Sequence, residues 1–160
     1  MHMYSLTEDE EKIRSIHEAG HAIAAWIFGW RIGEMYIADT DISPPADINP
    51  ALFAWQRLVI ELAGPASERL SGSSHSTGID RARIIGAVSE LRDLYGWLQP
   101  DNVIIGRAEA EADQLLIEHD GARNAVAAEL LRQRRNQCSL GCLTGDEIRD
   151  IIARESITIG

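Results

Sequence analysis

Apolar residues recur every three or four positions along most of this chain, a spacing that is typical of amphipathic α-helices. The first such stripe precedes a pair of glycines and comprises Ile13, Ile16, Gly20, Ile23 and Ile27. Ser5 or Thr7 stands before the acidic residues 8–11. A hydroxyl cap followed by acidic side chains suits the positive end of a helix. The pattern therefore predicts a long first helix that ends near Gly29.

Further helical stripes follow, and residues that favour turns separate them. They cover residues 51–70, 79–98, 101–119, 122–137 and 145–154, with the breaks at 71–78, at Pro100 and at Asp120-Gly121. Pro65 has no backbone N–H, so we expect a bend in the second helix. Thr144 and Glu147 have the spacing of a capping box, which predicts the start of the last helix.

One segment alone, residues 31–38, has the composition of a β-strand. Residues 39–50 are predicted to form a loop because prolines, aspartates and an asparagine punctuate them. The length of 160 residues fits one ordinary domain. We therefore predict a mainly α fold, a single domain over residues 1–160 with one small β element.

The charge of the chain narrows the classes of partner. Its formal net charge is −10, and a surface this acidic repels phosphate and anionic lipid. We therefore expect neither nucleic acid nor a membrane as a partner. The arginines among residues 132–135 could still form a local basic patch. The longest apolar run, residues 22–30, is far shorter than a bilayer span. With no signal-like N-terminus and two cysteines, a reducing cytoplasm is the expected location.

The strongest chemical signal is the His-Glu-x-x-His pattern of His17, Glu18 and His21. On a helix, residues four positions apart share one face, so both imidazoles can bind the same Zn²⁺ ion. Glu18 then lies beside the metal, where it can accept a proton from an activated water. The alternative is a pair of surface histidines. Apolar neighbours disfavour it, and Gly20 in mid-helix indicates that another element packs close by.

A catalytic zinc ion needs a third protein ligand. The chain offers several carboxylates for this role, and spacing alone does not choose among them: Asp39, Asp41, Glu61, Glu68 and Asp80.

Residues 17–22, His-Glu-Ala-Gly-His-Ala, resemble the zinc helix of the FtsH-type ATP-dependent metalloproteases. Three later segments resemble that family in the same order. They are residues 62–68 (Leu-Ala-Gly-Pro-Ala-Ser-Glu), 77–80 (Thr-Gly-Ile-Asp) and 143–148 (Leu-Thr-Gly-Asp-Glu-Ile). The likeness extends from about residue 13 to residue 152. It departs from the family at Pro65, where the family has arginine, and in the shorter stretch 77–80.

The resemblance implies a zincin-like domain and a zinc-dependent endopeptidase. Zn²⁺ would be held by His17, His21 and Asp80, with Glu18 as the general base. Glu68 would lie near the metal and support a ligand histidine. Read without the resemblance, Asp80 is a helix N-cap and Glu68 a solvated helix residue. The strand at 31–38 would be the sheet edge to which an extended substrate adds, or else a core strand.

The family's ATPase and membrane helices have no counterpart here, and no phosphate-binding loop motif occurs in the chain. The expected substrates are therefore peptides or unfolded protein segments, either flexible by themselves or delivered by a separate ATPase partner. Aromatic residues of the first two helices are expected in the core or in a homo-oligomer contact. Two other functions stay open: a non-catalytic regulatory or binding module that reuses the fold, and a small repressor-cleaving peptidase.

Overall fold

The computed structural model describes residues 6–73, 81–136 and 142–158. Six helices form in these ranges: α1 (Glu8–Ile27), α2 (Pro50–Leu70), α3 (Arg81–Tyr95), α4 (Asp101–Glu118), α5 (Asp120–Asn136) and α6 (Gly145–Thr158). Three short strands accompany them: β1 (Arg31–Tyr36), β2 (Thr40–Ser43) and β3 (Cys142–Thr144). The predicted fold class, mainly α with one small β element, is confirmed. None of the described helices has the length and apolar composition required to cross a bilayer.

The small sheet is antiparallel, with β1 between β2 and β3. Ile32 pairs with Ile42 of β2, and Met35 pairs with Leu143 of β3. The loop predicted at residues 39–50 is wrong in part, because it contains β2. Of the two interpretations of the strand at 31–38, the sheet edge is wrong and the core strand agrees with the central position of β1. The reason is length, because strands of four and three residues are too short for an alternating pattern.

Side-chain caps fix two of the helix boundaries as predicted. The Thr7 hydroxyl accepts a hydrogen bond from the Glu10 backbone N–H at 3.1 Å, so α1 begins at Glu8. At α6, the Glu147 N–H donates to the Thr144 hydroxyl at 3.2 Å. The Thr144 N–H donates in return to the Glu147 carboxylate at 3.3 Å, which completes the capping box.

Other boundaries differ slightly from the sequence expectation. Helix α3 ends at Tyr95, three residues early, because Gly96 adopts a positive φ of 61° that terminates the helix. The break between α4 and α5 falls at His119, so Asp120-Gly121 forms the first turn of α5. Helix α2 is continuous through Pro65.

Helix α1 packs closely against α2 at a crossing that depends on Gly20. A Cβ atom at this position would lie 2.3 Å from the Ala63 carbonyl oxygen and 2.7 Å from the Ser67 Cβ. The mid-helix glycine thus allows the close approach that its position indicated. Around the crossing lies the apolar core, which includes Ala19, Ile23, Met35, Leu58, Ala63, Leu116 and Ile148.

Gly20→Ala is expected to destabilise the protein by about 1–3 kcal/mol, the usual cost of overpacking. The methyl group would collide with backbone, which cannot move aside as a side chain can. Urea unfolding of the wild type and of Gly20→Ala measures the difference in their free energies of unfolding. Gly86→Ala is the matched control, since a Cβ at that helical glycine meets nothing within 4 Å. Equal stability of the two variants would contradict the close crossing.

The aromatic residues of the first two helices belong to the core and its margin. Trp30 is buried, and Trp26, Phe28 and Trp55 pack partly buried against the core cluster. These side chains therefore stabilise the fold, and the prediction of a homo-oligomer gains no support from them.

Candidate metal centre

Helix α1 places His17, Glu18 and His21 together in the middle of its length. Their ligand-capable atoms all lie within 4.8 Å of one another, and among the described residues no other cluster of this kind occurs. Helix α2 crosses α1 here, and strand β2 lies against the same region. The i, i+4 spacing brings the two imidazole rings to a centroid separation of 4.7 Å. The three residues of the sequence motif thus meet at one point.

The inner nitrogen of each imidazole has an acceptor that fixes its hydrogen. Nδ1 of His21 lies 2.7 Å from the Ile60 carbonyl oxygen. A carbonyl only accepts, so this Nδ1 carries the hydrogen and donates it. Nδ1 of His17 lies 2.8 Å from the Glu68 carboxylate and donates in the same way. In the neutral rings both Nε2 atoms therefore carry a lone pair and no hydrogen.

These two lone pairs face each other across a short distance. Nε2 of His17 lies 3.0 Å from Nε2 of His21. Two acceptors this close repel each other unless a proton or a cation lies between them. Tetrahedral zinc with nitrogen ligands at roughly 2.0–2.1 Å places those nitrogens about 3.3 Å apart. The observed separation fits two ligands of one metal ion.

Space for an ion beside these nitrogens comes from Gly64 of α2. A Cβ atom at Gly64 would lie 2.6 Å from Nε2 of His17 and 2.6 Å from Nε2 of His21. Because Gly64 has no side chain, α2 places no Cβ atom in the volume next to both Nε2 atoms. Sequence reasoning considered the Gly64-Pro65 pair only as a bend, and it missed this role.

Burial keeps both imidazoles in the form that binds a metal. It lowers the pKa of His17 to about 4, and the Arg14 guanidinium contributes in the same direction. Burial also lowers the pKa of His21, against the opposing effect of the Glu18 carboxylate. Neutral imidazole is the ligand form of histidine, so both rings are ready to bind at neutral pH.

Glu18 is a buried carboxylate, 7% exposed, beside the histidine pair. Burial raises its pKa, while electrostatic interaction with the His21 ring, a hydrogen bond from Thr40 and the Arg14 guanidinium oppose that rise. The Thr40 hydroxyl donates to Oε2 of Glu18 at 2.5 Å. The result is a fixed carboxylate that is more basic than a solvated one, as a general base requires. Thr40 was missed because it lies in the segment that was predicted to be a loop.

A cleft of about 460 Å³ opens over this cluster. Trp30 and Phe53 line it as a stacked pair, with ring centroids 5.6 Å apart and planes at 9°. The Trp30 indole N–H donates to Gln56 at 2.7 Å, which fixes the ring. Arg14, Arg57 and Arg83 supply positive charges, while Glu18, Asp39 and Glu61 supply negative ones.

The candidates for a third ligand separate clearly in space. Asp39 and Glu61 line the cleft. Asp41 is exposed and packs over Gly33, outside the cleft lining. Glu68 is 3% exposed and contacts Nδ1 of His17, so it lies on the side of that ring opposite Nε2. Asp80, the residue that the resemblance implies, lies outside the described residues.

A polar network anchors α2 behind the site. The Ser67 hydroxyl donates to the Ile16 carbonyl at 2.6 Å, one residue before His17. Arg123, 2% exposed, donates to the Ser67 carbonyl at 3.1 Å and to Asp120 at 2.6 Å. These bonds hold together the helix segments that carry Glu68 and His17. No local sequence signal indicated the contact of Arg123 with Ser67, because Ser67 lies on a helix that is distant along the chain.

If the site is the peptidase that the sequence predicts, with Glu18 as its base, Thr40→Val should move the acid limb of the pH profile of kcat/KM to higher pH. The hydroxyl stabilises the charged carboxylate, so its loss raises the pKa of Glu18 further. A base works only when deprotonated, and the rate at the acid end should fall about tenfold. Peptide hydrolysis measured across pH tests this. Thr40→Ser, which keeps the hydroxyl, should retain the wild-type limb, and an unshifted limb in the valine variant would contradict the role.

No protein-family model matches the chain, and no curated protein matches it significantly.

Proposed function

We propose that this protein is a zinc-dependent endopeptidase that hydrolyses peptide bonds in flexible or partner-delivered protein segments. One observation carries the proposal. Two partly buried imidazoles have their unprotonated Nε2 atoms 3.0 Å apart, each ring oriented by an acceptor on its Nδ1, next to a buried carboxylate. This is the residue set that a His-Glu-x-x-His metallopeptidase needs. The resemblance to the FtsH-type peptidase segments supports the same assignment.

His17 and His21 would hold the zinc ion through Nε2. For the third ligand we propose Asp80, following the resemblance, with Glu61 and Asp39 of the cleft as the competing carboxylates. When bound, Zn²⁺ supplies a Lewis acid that polarises the peptide carbonyl and lowers the pKa of a water molecule. Glu68 holds the His17 ring in the ligand orientation through the Nδ1 hydrogen bond.

Glu18 would act as the general base. Its carboxylate takes a proton from the attacking water and passes it to the leaving amine. Thr40 fixes the position of that carboxylate from β2. The cleft above the histidines has a volume of about 460 Å³, and the Trp30–Phe53 pair gives it an apolar wall against which a peptide could pack.

The rest of the proposal follows composition and resemblance. The substrates are peptides or unfolded segments in the cytoplasm, supplied by a separate ATPase partner where they are folded. Assembly into a homo-oligomer belongs to the same proposal. Cys142, the cysteine in the described part of the chain, forms no disulfide there, as a reducing compartment would leave it.

Metal content and proteolysis together test the proposed function. Elemental analysis of the purified wild type should find about one zinc ion per chain, and His21→Ala should lose it. The zinc-loaded wild type should degrade casein, and a chelator should stop it. Zinc binding without hydrolysis would favour the non-catalytic module. Wild type that takes up no metal after incubation with zinc would overturn the metallopeptidase.

A second set of variants identifies the third ligand. Asp80→Asn should weaken zinc binding by more than about tenfold, because a metal ligand is lost. Glu61→Gln and Asp39→Asn remove the two cleft carboxylates one at a time and should leave the zinc affinity close to wild type. The reverse result would transfer the role from Asp80 to a residue of the cleft.

A further inference from the structure

We propose that the cleft selects substrates that carry a carboxylate group, and that Arg14 is the residue that binds it. This inference rests on the proposed function, since it names the substrate class of the same site. Arg14 lies on α1, three residues before His17 and four before Glu18, so its side chain occupies the same helix face one turn away. It lines the cleft with both residues.

Arg14 forms no ion pair with any of the described residues, in contrast to the other arginines of the cleft, although its charge acts on the nearby Glu18 carboxylate. Arg57 pairs with Glu90 at 3.6 Å, and Arg83 pairs with Glu61 at 3.4 Å. In a chain with ten more acidic than basic residues, most described arginines pair with an internal carboxylate. Arg14 is half-buried, lines the cleft and has no ion-pair partner among the described residues, so its guanidinium is available for a group on a ligand.

The chemistry of the cleft favours a carboxylate as that group. A guanidinium binds a planar carboxylate through two parallel N–H bonds, and partial burial strengthens them. A phosphate would bring nearly twice the negative charge into a cleft that already contains Glu18, Asp39 and Glu61. A single unpaired cation does not offset that repulsion. The carboxylate has two sources in a peptide: an aspartate or glutamate side chain, or the C-terminus of the chain.

Binding measurements on the zinc-loaded Glu18→Gln variant test the inference without cleavage of the probe. The probes are fluorescein-labelled peptides of one sequence in three forms. The first carries a single glutamate, placed at each position in turn, with an amidated C-terminus. The second has glutamine in its place, and the third combines glutamine with a free C-terminal carboxylate. Fluorescence anisotropy gives the Kd of each peptide.

A carboxylate peptide should bind about tenfold more tightly than the neutral one, the value of one charge-assisted contact. The tighter binding of the carboxylate peptide should disappear when Arg14→Gln is combined with Glu18→Gln. It should persist in part when Arg14→Lys is used instead. It should also shrink as salt is added. Arg31→Gln removes the same charge from an exposed position outside the cleft lining, and it should leave the advantage intact. A preference for the glutamate peptides indicates a side-chain carboxylate, and one for the free C-terminus indicates the chain end.

Two results would overturn the inference. One is equal affinity for all three peptide forms in the protein that retains Arg14. This result does not depend on whether an Arg14 variant folds. The other is a carboxylate preference that Arg14→Gln leaves unchanged, with zinc content and helical circular dichroism as folding controls. If either result is found and the wild type still hydrolyses casein, the proposed function stands and only this inference fails. If the carboxylate preference depends on Arg14 but the wild type does not hydrolyse casein, the carboxylate site stands and the peptidase function fails.

Discussion

Replacing Glu18 with glutamine is expected to reduce the rate of peptide hydrolysis by about 10²–10⁴-fold while zinc stays bound. The amide has the size of the carboxylate, and its oxygen still accepts the hydrogen bond from Thr40. It cannot, however, take a proton from water at neutral pH. The paired Nε2 atoms of His17 and His21 are untouched, so the metal ligands remain. Casein hydrolysis and zinc content, measured on the same preparation, give both quantities.

The matched control for this variant is Glu118→Gln, which makes the same chemical change on α4. Glu118 is exposed and outside the cleft lining, where it accepts a hydrogen bond from Gln114 at 2.7 Å. Its replacement should leave hydrolysis at the wild-type rate. If Glu18→Gln also hydrolyses casein at that rate, Glu18 is not the base. If the Glu18→Gln variant loses zinc together with activity, Glu18 has a structural role in the metal site. The loss of hydrolysis then does not test proton transfer.

The helices were predictable because their signals are local. The hydroxyl of Thr7 reaches a backbone N–H three residues ahead, and the Thr144–Glu147 box closes within one turn. Strands β2 and β3 carry no comparable signal. Their four and three residues are extended because β1 supplies hydrogen-bond partners on both of its edges. A strand that exists through pairing with distant residues is invisible to the pattern of its own sequence.

The candidate site divides in the same way. His17, Glu18 and His21 meet because the helix repeat determines their spacing, and a sequence motif captures that spacing. The position of Glu68 behind His17 was anticipated only through the family resemblance. The acceptor for His21, the Ile60 carbonyl, and the hydroxyl of Thr40 come from other elements. Backbone carbonyls have no sequence signature, so no reading of the chain alone finds such contacts.

Packing and chemistry are coupled at the crossing of α1 and α2. Gly20 of α1 admits the Ala63 carbonyl of α2, and Gly64 of α2 faces the two imidazoles of α1. Each helix thus has a glycine at the point where the other helix comes closest. The close crossing also buries the imidazoles, and this burial lowers their pKa values and keeps them neutral. The contact that stabilises the fold is therefore also the one that keeps the histidines of the candidate metal site neutral.

Gly64→Ala should consequently weaken zinc binding by more than about a hundredfold, beyond the range seen for residues that only support a ligand. The new methyl carbon would lie 2.6 Å from both Nε2 atoms and would occupy the space the ion needs. The groups it meets are the ends of the His17 and His21 side chains, which can rotate away, so the helices should remain folded. Competition with a zinc-binding dye measures the affinity, and circular dichroism monitors the fold.

Gly106→Ala provides the control for this prediction. Gly106 lies inside α4, and a Cβ atom there meets nothing within 4 Å. Alanine at that site should stabilise the protein by up to about 1 kcal/mol through helix propensity and leave zinc affinity unchanged. The pair separates the loss of glycine from the loss of space. Full zinc affinity in a folded Gly64→Ala variant would mean that the ion does not lie between the imidazoles, and the metallopeptidase assignment would fall with it.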